Sequence, residues 1–252
     1  MNKIPIALQM YTLREETAKD FAGTLRKVSE IGYAGIELAG WAGISNRELS
    51  GLLSEYGMSI AGCHVSLDAI EASIQKVIEE SQAIGNSTVI VPFLAEERRT
   101  DAAAYKKLAE LLNGFGETFL SHGISLAYHN HDFEFKPLDN GQIGMDILLD
   151  ETSPQLVKAE IDTYWVLVAG MDPVEYLAKR RGRVPLVHIK DRDANDGFFA
   201  EIGSGNLPID AIIEEASRGR SRWLVVEQDQ CRRDPIESVT MSYNFLKSKG
   251  YA

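Results

Sequence analysis

Eight short apolar runs rich in β-branched residues recur along the chain: IPIALQM (4–10), GIELA (35–39), MSIAGCHV (58–65), STVIVPF (87–93), ISLAYHN (124–130), LVKAEID (156–162), VPLVHIK (184–190) and WLVVEQD (223–229). Their length suits buried strands. Between them apolar residues step by three or four, as in Phe21, Leu25, Val28 and Ile31, in Ile70, Ile74, Val77 and Ile78, and in Leu108, Leu111, Leu112, Phe115 and Phe119. That spacing gives a helix one apolar stripe to lay on a sheet. Helix starts repeat a signature: DAIE (68–71), DPVE (172–175) and DPIE (234–237) each place an Asp to cap free amides and a Glu three residues on to complete a capping box. In the last two, proline sits where a missing N–H costs nothing. Gly85 and Gly123 follow helical segments, and Gly32, Gly57 and Gly182 precede strands; these are places for the left-handed residue that closes a helix.

Eight strands alternating with helices, one unit per roughly 30 residues, predict an α/β (β/α)8 TIM barrel, a fold of about 250 residues. Residues 1–252 are expected to form it as a single domain, since no linker or low-complexity tract divides them. An open doubly wound sheet is the rival, but no GxGxxG follows the first run. GSGNL (203–207) is a weak glycine signal that reads more readily as a turn than as a phosphate cradle.

Composition narrows the function classes. The chain is 44% hydrophobic and 25% charged, as expected of a soluble globular protein, and no run approaches the roughly 18 apolar residues of a membrane span. The amino-terminal MNKIPIALQMYTLRE lacks a long apolar segment, so no secretory signal, no membrane partner and a cytoplasmic location are expected. A net charge of −11 repels a phosphate backbone, so nucleic acid is not expected as a partner. Cys63 and Cys231 are far apart and outside any CxxC pair, which argues against a disulfide framework or a structural zinc site.

In a TIM barrel the C-terminal strand ends carry the site, and the polar residues fall there. Gln9 and Tyr11 follow the first run, Glu37 ends the second and His64 the third; His129 and His131 end the fifth, Asp162 the sixth, His188 and Lys190 the seventh, and Glu227 and Asp229 the eighth. Four of the five histidines lie at such ends, and only His122, in SHG, reads as a surface cation at a helix terminus. Alternation puts residues 127, 129 and 131 on one face of strand five and Tyr128 and Asn130 on the other. With the first face inward, His129 and His131 look toward Asp162, His188 and Glu227. Imidazole with carboxylate suits one divalent ion of Mn, Co, Zn or Fe, more than Ca²⁺. The bland alternative is buried histidines bonded to backbone or to Glu134.

Several motifs together resemble the sugar phosphate isomerase/epimerase group of xylose isomerase-like TIM barrels, which includes inosose dehydratases, ketose 3-epimerases and endonuclease IV. They are LQMYTLRE, IGYAGIELAG, LAYHNHDFEF, EIDTYWVLVAGMDPVEYL, VPLVHIKDRD, GSGNLPIDAII and WLVVEQD, and they cover nearly the whole chain. The resemblance implies a metal held by Asp162, His188 and Glu227. Where many relatives begin an ENH-like stretch with Glu, this chain has His129 in HNH; His129 is the implied replacement ligand, and His131 the close alternative or a substrate contact. Members are often dimers or tetramers, so a homo-oligomer is compatible with the resemblance, although no stretch identifies an interface.

The implied reaction is isomerisation or epimerisation of a sugar, keto sugar or cyclitol through proton abstraction beside a carbonyl, giving an enediolate. Glu227 or His129 would accept the proton, Lys190 would stabilise an oxyanion or expelled oxygen unless it is paired with Asp191 or a rim carboxylate, and His64 and Glu37 would bind hydroxyls. Epimerases of the group use glutamates on strands five and eight as a pair, and only Glu227 remains here. Glu134 is expected to supply a second carboxylate, or else to be a solvated loop charge. Trp165 and Trp41 would cover the apolar face of the sugar or serve only in packing. HNH also suits a lyase that eliminates from a 3-keto sugar or inosose after the same first step. An abasic-site phosphodiesterase fits the acidic chain poorly, and a binding module with a vestigial metal site is the remaining alternative.

Overall fold

The apolar runs form strands β1 (Ile6–Gln9), β2 (Gly35–Ala39), β3 (Ser59–His64), β4 (Thr88–Val91), β5 (Ser125–His129), β6 (Val157–Asp162), β7 (Leu186–Ile189) and β8 (Trp223–Val226) in a computed structural model that describes residues 3–252. They pair in the order β1-β8-β7-β6-β5-β4-β3-β2 and close on themselves. All eight pairings are parallel, so this is the (β/α)8 barrel that the alternation predicts. Closure pairs both sides of every strand and leaves no open edge.

The pleat separates two cores. Side chains such as Leu38, Val91, Tyr128, Val187 and Val226 point outward and pack against the surrounding helices. Ala7, Ala61, Ile90, Ala127, Leu186 and Val225 form a separate inner cluster. Two residues further along four of those strands, on the same inward face, stand Gln9, His129, His188 and Glu227, all buried. The barrel is apolar at mid-height and polar at its C-terminal mouth.

One irregularity sets the phase of β3. Its register against β2 slips between Ile36 and Glu37, so that Ile36 pairs with Ile60 but Glu37 with Gly62. Ala61 therefore faces the inner cluster and Cys63 the outer one, and His64 is turned inward. A Cβ at Gly62 would stand 2.4 Å from Ile90 Cδ1 and 3.3 Å from Glu37 Oε2, so the slip uses glycine for close approach.

Local signals mark most helices. Asp172 and Asp234 cap Pro173–Lys179 and Pro235–Ser248 as expected. DAIE behaves differently: Ser66 accepts the Ala69 amide and caps Leu67–Ala72, which leaves Asp68 inside the first turn. The stripe from Ile70 to Ile78 is broken at Ser73, which ends that helix and caps Ile74–Ala83. Serine competes well for free amides, and here Ser66 takes the cap that Asp68 was expected to hold, while Ser73 caps a further helix that the continuous stripe did not predict. His122 is exposed, and its Nδ1 lies 2.9 Å from the Thr118 carbonyl oxygen at the end of Ala102–Ser121. Cys63 and Cys231 are free. Among the described residues no helix is long and apolar enough to cross a membrane.

Candidate active site at the mouth of the barrel

Strand register aligns the polar residues before any side chain turns. Gln9 lies beside Glu37, His129 beside Glu160, and Asp162 beside His188. His188 is at the centre, with both ring nitrogens engaged. Its Nδ1 is 2.9 Å from Glu227 Oε2 and 3.9 Å from Asp162 Oδ2. Its Nε2 is 2.7 Å from Glu37 Oε1 and 3.3 Å from Glu160 Oε2. His64 Nε2 meets the same two oxygens at 3.0 and 2.8 Å, and Gln9 Nε2 donates to Glu37 Oε1 at 2.7 Å. Burial opposes charge on these rings, but the carboxylates outweigh it: His64 is raised to about 9, chiefly by Glu37, and His188 well above its usual value, chiefly by Glu160 and Glu37. Burial likewise opposes ionisation of Glu37, yet His188 and His64 hold it well below the usual carboxylate range.

Glu160 is absent from the sequence-based set of site residues. The signal was a carboxylate within an apolar run, two residues before Asp162 and so on the same strand face. Alternation assigns Asn130, the middle residue of HNH, to the outward face and gives it no role at the site. Its amide donates to the Asp162 carbonyl at 3.2 Å and its Oδ1 accepts the Asp162 amide at 3.0 Å, which ties the ends of β5 and β6 together.

His129 is buried with neither ring nitrogen hydrogen-bonded, and its Nε2 is 3.5 Å from Asp162 Oδ2. Burial brings its pKa down to about 4, so the ring is a neutral donor of lone pairs at neutral pH. Asp162 Oδ1 accepts the Tyr164 and Trp165 amides at the start of helix Thr163–Val168. Its Oδ2 lies 2.9 Å from Lys190 Nζ but without hydrogen-bond geometry, so that oxygen is available to another partner. The Lys190 ammonium is buried 2.7 Å from Glu227 Oε2 and 2.6 Å from Asp229 Oδ1. It thus pairs with three carboxylates of the mouth and not with Asp191. Asp191 instead accepts the amides of Gly203, Gly205 and Leu207 at 2.9, 2.9 and 3.0 Å. The GSGNL loop therefore closes around a protein carboxylate, and those amides are not free for phosphate.

His131 is half-buried among Phe93, Phe133 and Trp165, with ring centroids 5.5 to 5.6 Å away. Burial, then His129 and Lys190, bring it down to about 3. Trp165 is tilted by 39° against the His131 ring and lies under Lys190, whose Nζ is 5.6 Å from the indole centroid. Trp41 is exposed beyond β2.

Glu134 departs from both expectations for it. It is fully buried, neither a solvated loop charge nor a carboxylate folded over the mouth: the Tyr128 hydroxyl donates to Oε1 and the His131 amide to Oε2, each at 2.7 Å. Tyr128 belongs to the outer core, so Glu134 is held on that side of β5. Burial raises it to about 7.

A cavity of about 340 Å³ opens above these groups, lined by Tyr11, Ala39, His64, Pro92, Phe93, His129, His131, Lys190, Glu227 and Asp229. His129, Asp162, His188 and Glu227 each offer one ligand atom within 4.8 Å of the others, and Glu37, His64, Glu160 and His188 form a second such group beneath.

Residues 25–249 match a family model described as xylose isomerase-like TIM barrel. The chain is 24% identical over 271 residues to an inosose dehydratase of Mesomycoplasma hyopneumoniae strain J, with 90% of this chain and 88% of that protein covered. Among solved structures, a sugar phosphate isomerase/epimerase from Parabacteroides distasonis superposes with a TM-score of 0.87 at 25% identity, covering 98% of this chain and 99% of that one. The IolI protein with a bound zinc atom shares the fold at a TM-score of 0.76, with 15% identity and 99% of each chain covered.

Proposed function

This chain belongs to the xylose isomerase-like TIM barrel family, and from that premise we propose that it is a divalent-metal-dependent carbon–oxygen lyase. It would eliminate a hydroxyl or alkoxyl group lying β to the carbonyl of a keto sugar or keto cyclitol. The likeness to an inosose dehydratase supports elimination over the isomerase or epimerase activity expected from the motifs. The observation that carries the reading is the distribution of bases. The carboxylates lining the cavity, Glu227 and Asp229, both follow β8, while His129 and His131 at the end of β5 are neutral imidazoles. Epimerisation by paired glutamates needs carboxylates on both sides of the substrate, and Glu134, the one candidate for the second, is buried behind β5.

His129, Asp162, His188 and Glu227 would hold the ion. The set mixes two imidazoles and two carboxylates, as Mn, Co, Zn and Fe accept, and one of the two His129 nitrogens, neither of them hydrogen-bonded, and Asp162 Oδ2, which lies beside Lys190 without a hydrogen bond, are buried polar atoms that such an ion would satisfy. When bound, it supplies Lewis-acid polarisation of the carbonyl. Glu227 accepts the proton from the neighbouring carbon. Lys190 weakens Glu227 as a base while the two are paired, and a substrate oxygen that draws the ammonium away strengthens that base. The same ammonium then stabilises the developing oxyanion. Asp229, a carboxyl group that burial raises to about 6, would in its protonated form give that proton to the leaving oxygen, so that water or alcohol departs. His131 and Tyr11 contact the bound ring.

The test incubates the enzyme, loaded in turn with Mn²⁺, Co²⁺ and Zn²⁺, with inososes and 3-keto sugars in deuterated buffer. Expected is loss of water or alcohol with growth of an enone absorbance. Deuterium in recovered or isomerised substrate without enone would overturn elimination in favour of the isomerase or epimerase reading, which the likeness to the Parabacteroides protein favours.

A further inference from the structure

We infer that Glu160, together with Glu37 and His64, is a positioning group that selects which nitrogen of His188 faces the metal; this rests on the metal-dependent reading above. A neutral imidazole carries one N–H, and a ligating nitrogen must present its lone pair. His188 spans two groups of carboxylates, and its Nδ1 is the nitrogen turned toward Glu227 and Asp162. Its Nε2 is turned toward Glu37 Oε1 at 2.7 Å and Glu160 Oε2 at 3.3 Å. Ionised carboxylates accept and never donate. Carboxylates face both ring nitrogens, but Glu227 and Asp162 on the Nδ1 side would themselves be ligands to the ion, so the single ring proton belongs on Nε2, toward Glu37 and Glu160, and Nδ1 is left for the ion.

Glu37 and Glu160 are fully buried and do not line the cavity, so neither is placed to touch substrate. Two adjacent buried carboxylates need a counter-charge. His64 provides it, with Nε2 at 3.0 and 2.8 Å from the same two oxygens and a ring stacked on His188 at 5.7 Å. Glu37 Oε1 meets the Gln9 amide as well as both rings, whereas Glu160 Oε2 meets the two rings alone, and the second oxygen of each carboxylate has no hydrogen bond. Glu160 is thus the less supported acceptor, and its removal leaves Glu37 against both rings. Outer hydrogen-bond partners of metal-bound histidines typically change metal affinity by about 10–100-fold.

The experiment titrates Co²⁺ into the apoprotein and into Glu160→Leu and Glu160→Gln by calorimetry, with the Co²⁺ absorption spectrum recorded at saturation. Expected is one ion per wild-type chain, about 10–100-fold weaker binding and an altered spectrum in Glu160→Leu, and a smaller loss in Glu160→Gln, whose amide oxygen still accepts. Wild-type affinity and spectrum in Glu160→Leu would overturn the positioning role alone. Two ions per wild-type chain, one of them lost in Glu160→Leu, would overturn it by making the lower group a metal site. No ion bound by wild type would remove the metal-dependent reading itself. Should Glu160→Leu fail to fold, ¹⁵N-histidine spectra of the Zn²⁺-loaded wild type decide: a proton on Nε2 of His188 is expected, and one on Nδ1 overturns the inference.

Discussion

Two layers of the same barrel interior, one side-chain step apart, obey opposite rules. In the lower layer Ala7, Ala127, Leu186 and Val225 pack together with no polar atom to satisfy. In the upper layer Gln9, His129, His188 and Glu227 follow on the same strands, and every one is buried. Burial is therefore not what distinguishes core from site. Below, burial stabilises directly through loss of water-exposed apolar area. Above, burial penalises each charge, and the layer holds only because imidazolium, ammonium and carboxylate groups neutralise one another. The lower layer fixes the strand spacing that makes those pairings possible. Fold stability and chemistry should thus be separable by choosing the layer in which to mutate.

The sharpest break is expected in the upper layer. Glu227→Gln and Asp162→Asn should each lower turnover by about 10²–10⁴-fold, with the circular dichroism of a folded barrel retained. Full activity in Glu227→Gln would remove its assigned role. His129→Ala should weaken metal binding more than His131→Ala, and the reverse order would move the strand-five ligand to His131.

In the lower layer Leu186→Ala should cost about 2–5 kcal/mol of unfolding free energy, with metal content per folded chain unchanged. Chemical denaturation and elemental analysis of the same sample check both halves. Lost metal with intact stability would mean that the two layers are not separable.

The smallest effect concerns Glu134, a buried carboxylate outside the barrel wall. Burial raises it from an ordinary 4.5 to about 7, so between those values the folded chain retains a proton that the unfolded chain releases. Its contribution is greatest below pH 4.5, falls as pH rises, and levels off above pH 7; the total loss is about 3 kcal/mol at most. Unfolding free energies from pH 5 to 8 should slope downward in the wild type and less so in Glu134→Gln. Equal slopes would show that the carboxyl group is already ionised in the folded chain.

Much of this architecture is written locally. Eight apolar runs, proline-bearing caps at Asp172 and Asp234, and polar residues at strand ends follow from alternation and helix chemistry, which act over a few residues. The same local logic failed where two local rules competed, as at Ser66 and Ser73. Which polar residues meet was a different matter. His64 reaches the mouth through a slip in the β2–β3 register. Glu134 turned to the outer side of β5 to meet Tyr128. Lys190 joined Asp162, Glu227 and Asp229 instead of its neighbour Asp191. Glu160, two positions from a residue that alternation did single out, became a partner of His188. The sequence by itself determined which side chains stand at the C-terminal ends of the strands, because periodicity is a property of neighbouring residues. Only the closed barrel decided their partners, because His188 and Glu37, 151 positions apart, come within 2.7 Å through the stagger of eight strands and the demand that each buried charge find its opposite.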